Sequence, residues 1–150
     1  MNAASDIAHV IQLSVAPVFL LAGIGALLNV VASRLGRVVD RARFLEERII
    51  APRNAAEEAR DRAEVTSLDR RMALAQRSIF LFCVAALLVC LVVATLFVSG
   101  LAGLSAGLAV ALMFIAAMVA MTGGLSLFLL EITAATRTIR VRAELFATKS

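Results

Sequence analysis

Charged residues are confined to parts of this chain, and their segregation limits the folds open to it more than any other sequence feature. Residues 7–33 and 78–130 contain no Asp, Glu, Lys or Arg. Residues 34–77 hold eleven of the fifteen basic residues and eight of the eleven acidic ones. The other four basic residues all follow residue 130. Uncharged, apolar stretches of this length are typical of helices that cross a lipid bilayer.

Three segments are long enough to cross the hydrocarbon core: residues 10–33, 78–98 and 106–133. A spanning helix needs roughly 20 mostly apolar residues, because the core of a bilayer is about 30 Å thick. The hydrophobic share of the whole chain, 61%, agrees with such spans rather than with a water-soluble domain. The sequence therefore predicts an all-α integral membrane protein with three transmembrane helices.

The charged segment, residues 34–77, shows helical periodicity on both sides of a break at residues 51–54. Pro52 disfavours a helical conformation in the residue before it, and Asn54 with Glu57 fits a capping box at the beginning of the next helix. We therefore expect a long antiparallel helical hairpin between the first and second spans. Its arms carry apolar residues at intervals of three and four, a pattern typical of a coiled coil: Leu35, Val38, Ala42, Leu45 and Ile49, then Val65, Leu68, Met72, Ala75 and Ile79.

The placement of Arg and Lys predicts the orientation, since these residues are retained on the cytoplasmic side of a membrane. All of them lie in residues 34–77 or in the tail, residues 134–150. Three spans place these two segments on the same side. We therefore expect a cytosolic hairpin and tail, with residues 1–9 and a turn at residues 99–105 on the outer side. A cleaved signal peptide is not expected, because its positive charge would precede the first apolar run.

Composition and motifs argue against nucleic acid, metal and catalysis. A nucleic-acid surface would need stacking aromatics and one sign of charge, whereas residues 34–77 mix both signs and contain one aromatic, Phe44. Anionic lipid headgroups explain the basic excess better. His9, Cys83 and Cys90 form no metal-ligand cluster, and motifs for nucleophilic, zinc-dependent or phosphate-transfer chemistry are absent from the sequence. We expect no enzymatic activity and no cofactor.

Small residues recur at helical spacing in all three spans. Such faces let helices approach closely in lipid, where packing replaces the hydrophobic effect. This is more interface than the internal contacts of one subunit require, and it predicts a homo-oligomer. One such face is a stripe that begins in the first span and becomes polar where it enters the charged segment: Ala22, Ala26, Asn29, Ser33, Arg37 and Asp40. The small residues of the third span are Ala116, Ala120 and Gly124.

Polar residues within or beside the spans are the candidate functional residues. Glu131 ends the long uncharged stretch and has two interpretations. The favoured one is a boundary carboxylate paired with Arg77 or Arg34; the other is part of a charged ring at the inner mouth of a pore. The full set of pore-lining or polar-cluster candidates is Gln12, Ser14, Asn29, Ser33, Arg37, Asp40, Gln76, Arg77 and Glu131.

Residues 11–43, IQLSVAPVFLLAGIGALLNVVASRLGRVVDRAR, resemble the opening of domain-of-unknown-function family 2721, a family of small bacterial membrane proteins. Residues 68–80, LDRRMALAQRSIF, resemble the beginning of that family's second helix. The likeness covers nearly the whole chain. It implies a bacterial inner-membrane protein with three spans and a periplasmic outer side, and it implies no activity. The first motif keeps a fixed order of Pro17, Asn29, Arg34, Arg37, Asp40 and Arg41.

Two functions follow from these features. The working hypothesis is an oligomeric ion-conducting pore with a cytosolic helical bundle, since three spans enclose no aqueous path unless several subunits assemble. The spare apolar residues Val39, Phe44 and Ile50 would join the hairpins of neighbouring subunits. The alternative is a membrane scaffold or regulatory subunit whose hairpin binds a cytosolic protein partner or anionic lipid. Both hypotheses predict self-assembly in the lipid bilayer.

Overall fold

Three α-helices form almost all of the part of the chain that the computed structural model describes, residues 3–103 without 51–54, and residues 105–147. Side chains are described over residues 8–47, 62–103 and 105–135. The helices are α1 (Ala3–Ile50), α2 (Ala55–Ala102) and α3 (Gly107–Ala147). No strand occurs in these ranges. The all-α class predicted from the sequence is confirmed.

Each helix contains a segment long and apolar enough to cross a membrane: Ala8–Glu47, Arg62–Ala102 and Gly107–Ala135. Helices α1 and α2 have 48 residues each, which at about 1.5 Å per residue gives a length of about 72 Å. That is more than twice the thickness of a hydrocarbon core, about 30 Å. Each of these two helices therefore carries both an apolar span and a charged arm without a break. The limits of the membrane segments stay predictions.

The connection between α2 and α3 is shorter than the sequence predicted. Helix α2 continues to Ala102, past the predicted end of the second span at residue 98. Gly103 then adopts a positive φ of 64°, the left-handed conformation that commonly ends helices. Ser99 lies within the helix, and its hydroxyl donates a hydrogen bond to the carbonyl of Leu96 at 3.1 Å, so the side chain is satisfied by its own helix. The other predicted turn, residues 51–54 with Pro52, lies outside the described residues.

Buried positions in the three helices follow a seven-residue repeat. Such a spacing keeps one narrow face of an α-helix turned towards its neighbours. Along α1 and α2 the repeat runs from apolar into charged sequence, so that the same face of each helix is buried in both parts. The buried residues at this spacing are Pro17, Ile24, Val31, Val38 and Leu45 in α1; Leu68, Ala75, Phe82 and Val89, and Ser78, Ala85 and Val92, in α2; and Ala117, Gly124 and Glu131 in α3.

The chain divides into two compact units, the first formed by Met1–Asn29 and Phe80–Gly124. Two glycines permit close helix packing in this unit. A Cβ atom on Gly100 of α2 would lie 2.6 Å from Cγ2 of Val10 in α1. A Cβ atom on Gly123 of α3 would lie 3.2 Å from Cδ1 of Leu81 in α2. Small residues thus bring helix backbones together here, as membrane helices commonly require.

The second unit comprises Val30–Ile79 and Leu125–Ser150, and the two predicted hairpin arms pack together within it. Leu45, which is fully buried, clusters with residues of the predicted apolar stripes of α1 and α2. Burying each such Val or Leu side chain stabilises the packed arms by roughly 1.5–3 kcal/mol. The cluster consists of Val38, Ala42, Leu45 and Leu68, with Val65 and Met72 packed against it.

Candidate functional site: a buried carboxylate and an arginine cleft

Glu131 of α3 is the buried carboxylate of the second unit, with 2% of its surface exposed. It lies at the same position of the seven-residue repeat as Ala117 and Gly124, which are also buried. The helix therefore directs the side chain of Glu131 towards the interior of the unit rather than to its surface. A charge that is taken out of water in this way requires compensation by an opposite charge and by hydrogen bonds.

Two arginines from two different helices provide this compensation. Arg71 of α2 donates hydrogen bonds to Oε1 of Glu131 from Nη2 at 2.9 Å and from Nε at 3.3 Å. Nη2 of Arg34, on α1, lies 3.4 Å from Oε2 of the same carboxylate. The side chains of Arg71 and Arg34 are 21% and 32% exposed, so both guanidinium groups keep contact with their surroundings. One carboxylate thereby links all three helices.

Hydrogen bonding in this cluster is incomplete. Nε of Arg34 and Oε2 of Glu131 are buried and have no hydrogen-bond partner among the described atoms. The guanidinium of Arg34 also lies over the ring of Phe128, with Cζ 5.7 Å from the ring centroid, a cation–π arrangement. A buried polar group without a partner costs about 1–3 kcal/mol. Arg34 therefore retains capacity to donate a further hydrogen bond.

A polar cleft of about 240 Å³ lies beside the ion pairs of Glu131. Glu131 pairs with Arg34 and Arg71, and Glu64 pairs with Arg41 at 2.8 Å. Four arginines thus line the cleft and two carboxylates pair with three of them, which leaves an excess of two positive charges among these six side chains. We call this feature the arginine cleft; its lining residues are Arg34, Arg37, Val38, Arg41, Leu68 and Arg71.

Arg37 differs from the other three arginines of the cleft. Within the described part of the chain it takes part in no ion pair and no hydrogen bond, and its side chain is exposed. The sequence singled out Arg37 as a member of a polar cluster, and the structure brings it together with Arg34, Arg41 and Arg71. Among the four arginines, it is Arg37 whose guanidinium contacts no carboxylate of the described residues.

The structure also decides between the two partners predicted for Glu131. Arg34 forms the ion pair, whereas Arg77 is exposed and does not contact Glu131. The second partner, Arg71, was not predicted. The signal that identifies it is its spacing, because Arg71 precedes the buried residue Ser78 by seven positions on α2. Arg77 lies one position away from that buried face.

Among the other polar candidates, Ser14 is the buried one, at 6% exposure. Its hydroxyl donates a hydrogen bond to the carbonyl of Val10 at 2.8 Å, so its own helix satisfies it. The remaining candidates do not come together with Glu131 and lie on exposed positions of α1 and α2. They are Gln12, Asn29, Ser33, Arg37, Asp40, Gln76 and Arg77.

The small and polar stripe of α1 is exposed along its length. Ala26 follows the buried residue Ile24 by two positions, which is about 200° around an α-helix. Most of the stripe therefore lies opposite the face that α1 buries within this chain, whereas Arg37, at its charged end, lines the arginine cleft. On α3 the predicted packing residues are divided: Ala116 is exposed, Ala120 is half-buried and Gly124 is buried. The exposed stripe residues of α1 are Ala22, Ala26, Asn29, Ser33, Arg37 and Asp40.

An all-helical chain with three helices long and apolar enough to cross a bilayer is a multi-pass membrane protein. A family model described as "Protein of unknown function (DUF2721)" matches residues 14–141. The chain belongs to this family, which confirms the resemblance found in its sequence. The matched region includes Arg34, Arg71 and Glu131. Neither the curated proteins nor the solved structures provide a match to the chain.

Proposed function

We propose that the protein is a self-assembling membrane protein whose subunits associate through the exposed stripe of α1. One observation carries this proposal: Asn29 and Ser33 are exposed on α1. Their segment of that helix, Ala8–Glu47, contains a stretch long and apolar enough to span a membrane. Lipid tails offer no hydrogen bonds to such side chains. A second subunit or a water-filled path satisfies them, and the neighbouring small residues Ala22 and Ala26 permit close approach of that subunit.

The working function is an ion-conducting pore formed by several subunits. The interior of each unit is packed with side chains such as Ile24, Val31 and Phe82, which are at most 1% exposed. This packing supports a path between subunits rather than through one. In such an assembly Gln12, Asn29 and Ser33 line the path, and the charges that follow them on the stripe set ion preference near one mouth. Those charges are Arg37 and Asp40.

The burial of Glu131 supports its role as an ion-paired structural carboxylate. Its side chain is turned into its own subunit and is held by Arg34 and Arg71. In this arrangement it positions α3 against α1 and α2 instead of contributing to the pore. Substitution of Glu131 would then alter stability before it alters ion selectivity.

The proposed location is the bacterial inner membrane, with a periplasmic N-terminus, a cytosolic hairpin and a cytosolic C-terminus. The segregation of Arg and Lys supports this orientation. Packing of the two arms through Leu45 and Leu68 supports a hairpin that projects as one unit. Half of the surface of Phe44 is exposed, and in the proposed assembly this exposed part contacts the hairpin of a neighbouring subunit.

The alternative is a scaffold or regulatory subunit whose hairpin binds a protein partner or anionic lipid. The arginine cleft favours this alternative, because it places four guanidinium groups at one site between the arms. Neither function involves catalysis, a cofactor or nucleic acid.

Two measurements test the proposal. Native mass spectrometry of the full chain in detergent counts subunits; we expect a homo-oligomer, and a monomer at every concentration would contradict self-assembly. Flux of potassium or sodium ions into proteoliposomes separates the two functions. Flux above that of protein-free liposomes supports the pore, and an intact oligomer without flux supports the scaffold.

A further inference from the structure

We propose that the arginine cleft is a binding site for a phosphate group. Phosphate is recognised in proteins by guanidinium groups, whose planar N–H donors match its oxygens in pairs. The cleft presents four of them, from Arg34, Arg37 and Arg41 on α1 and Arg71 on α2. The carboxylates of Glu64 and Glu131 balance two of these charges. The remaining excess of two matches the one to two negative charges of a phosphodiester or phosphomonoester.

Two of the four arginines have donors that no acceptor among the described residues uses. Arg37 has no partner within the described residues, and Nε of Arg34 is buried without one. A phosphate in the cleft supplies hydrogen-bond acceptors and a counter-charge to the exposed guanidinium of Arg37, while the ion pairs of Glu64 and Glu131 stay intact.

The dimensions and the walls of the cleft restrict the ligand. Its volume of about 240 Å³ lies below the roughly 300–1,000 Å³ of pockets that enclose drug-sized molecules. It therefore suits inorganic phosphate or the headgroup of a phospholipid rather than a nucleotide. Val38 and Leu68 add apolar surface to the lining, next to which the attraction between guanidinium and phosphate is stronger than in bulk water.

The position of the cleft in the sequence favours a phospholipid as the source of the phosphate. Arg34 directly follows the uncharged residues 7–33, and Glu131 directly follows the uncharged residues 78–130. The cleft is lined by α1 and α2 and lies beside the ion pair of Arg34 with Glu131. These two residues mark the points where apolar sequence meets charged sequence on α1 and α3, the level at which headgroups are expected. This inference rests on the alternative function, in which the hairpin binds anionic lipid, and assigns that binding to one site; it does not depend on self-assembly or on conduction.

The test uses the full-length protein in detergent and one substitution that removes a positive charge from the cleft, compared with a matched control. Arg37→Gln removes the guanidinium that has no partner of its own, so it leaves the ion pairs in place. Arg43→Gln is the matched control, because Arg43 is also exposed on α1 but does not line the cleft. Phosphatidylglycerol and phosphatidylcholine are titrated separately and counted on the protein by native mass spectrometry. Inorganic phosphate is titrated by calorimetry in a parallel arm.

We expect preferential retention of phosphatidylglycerol, weakened roughly tenfold or more by Arg37→Gln and less than about twofold by Arg43→Gln. Binding of inorganic phosphate with the same dependence on Arg37, but no lipid preference, also supports the site and assigns it to free phosphate. Equal losses in the two variants, or no binding in either arm, would overturn it. The same spectra report subunit number, so a monomer that retains phosphatidylglycerol contradicts self-assembly alone.

Discussion

Arg71 and Glu131, sixty residues apart in the chain, are joined by a hydrogen bond of 2.9 Å between Nη2 and Oε1. The bond connects α2 to α3, and Arg34 of α1 approaches the second oxygen of the same carboxylate. Each of the three helices therefore contributes one charged group to this cluster. Removal of either arginine leaves the buried carboxylate with one partner instead of two, which is more costly than the loss of a surface ion pair.

We predict that Arg71→Ala lowers the free energy of unfolding by about 2–3 kcal/mol. The expected loss lies below the ~3–5 kcal/mol of fully buried pairs, because the side chain of Arg71 is 21% exposed and Arg34 remains beside Glu131. Denaturant titration of the protein in detergent, followed by circular dichroism, measures this loss. Arg77→Ala, at an exposed position of the same helix, should stay within about 0.5 kcal/mol of the wild type. Equal losses for both variants would remove the proposed role of Arg71.

A second ion pair should contribute far less to stability. Arg41 and Glu64 lie 2.8 Å apart, but their side chains are 42% and 31% exposed. Exposed pairs contribute about 0.2–1 kcal/mol and weaken with salt. A double-mutant cycle of Arg41→Gln and Glu64→Gln should give a coupling energy in that range, decreasing between low and high salt. A salt-independent coupling above 2 kcal/mol would contradict the exposure seen in the structure.

We predict that Gly100→Ala destabilises the first unit by about 1–3 kcal/mol. Its new Cβ would lie 2.6 Å from Cγ2 of Val10, and a β-branched side chain has little freedom to rotate away. Gly25→Ala is the control, because nothing lies within 4 Å of its Cβ position; it should be neutral or slightly stabilising. Thermal unfolding in detergent compares the two. A Gly100→Ala variant as stable as Gly25→Ala would show that α1 and α2 do not approach so closely.

The orientation is tested by cysteine labelling in intact bacterial cells. Both native cysteines, Cys83 and Cys90, are exposed, so they are first replaced by alanine. We expect a membrane-impermeant maleimide to label Leu101→Cys, at the exposed end of α2, in intact cells. Glu47→Cys, in the hairpin, should react only after permeabilisation. The reverse pattern would invert the topology and place the hairpin in the periplasm.

The three helices were predictable from the sequence because charge segregation and helix breakers act locally. No breaker separates residues 33 and 34, so the continuity of α1 followed directly. The end of α2 could not be predicted in this way, since Gly and Ser in SGLAGLS indicate a turn, whereas the helix continues through Ser99 and Gly100 to Ala102. Turn residues are weaker signals in membrane helices, where Gly is more frequent than in soluble ones.

The candidate site was only partly predictable. Arg34 was identified as a partner of Glu131 because both residues border uncharged sequence. Arg71 was missed, because an arginine in a charged segment is expected to be exposed, and its burial is visible only from the position it shares with Ser78 in the repeat. The cleft could not be predicted, since it requires the registers of α1 and α2 to bring Arg37 near Arg71.

The central claim is that the stripe of α1 joins subunits, and native mass spectrometry of two matched variants tests it most directly. Ala26→Leu adds bulk on the stripe. Ala32→Leu adds the same bulk at an exposed position about 120° around the helix. We predict that wild type and Ala32→Leu remain oligomeric, whereas Ala26→Leu shifts to smaller species. A monomeric wild type, or an Ala26→Leu protein with the wild-type subunit number, would contradict the claim.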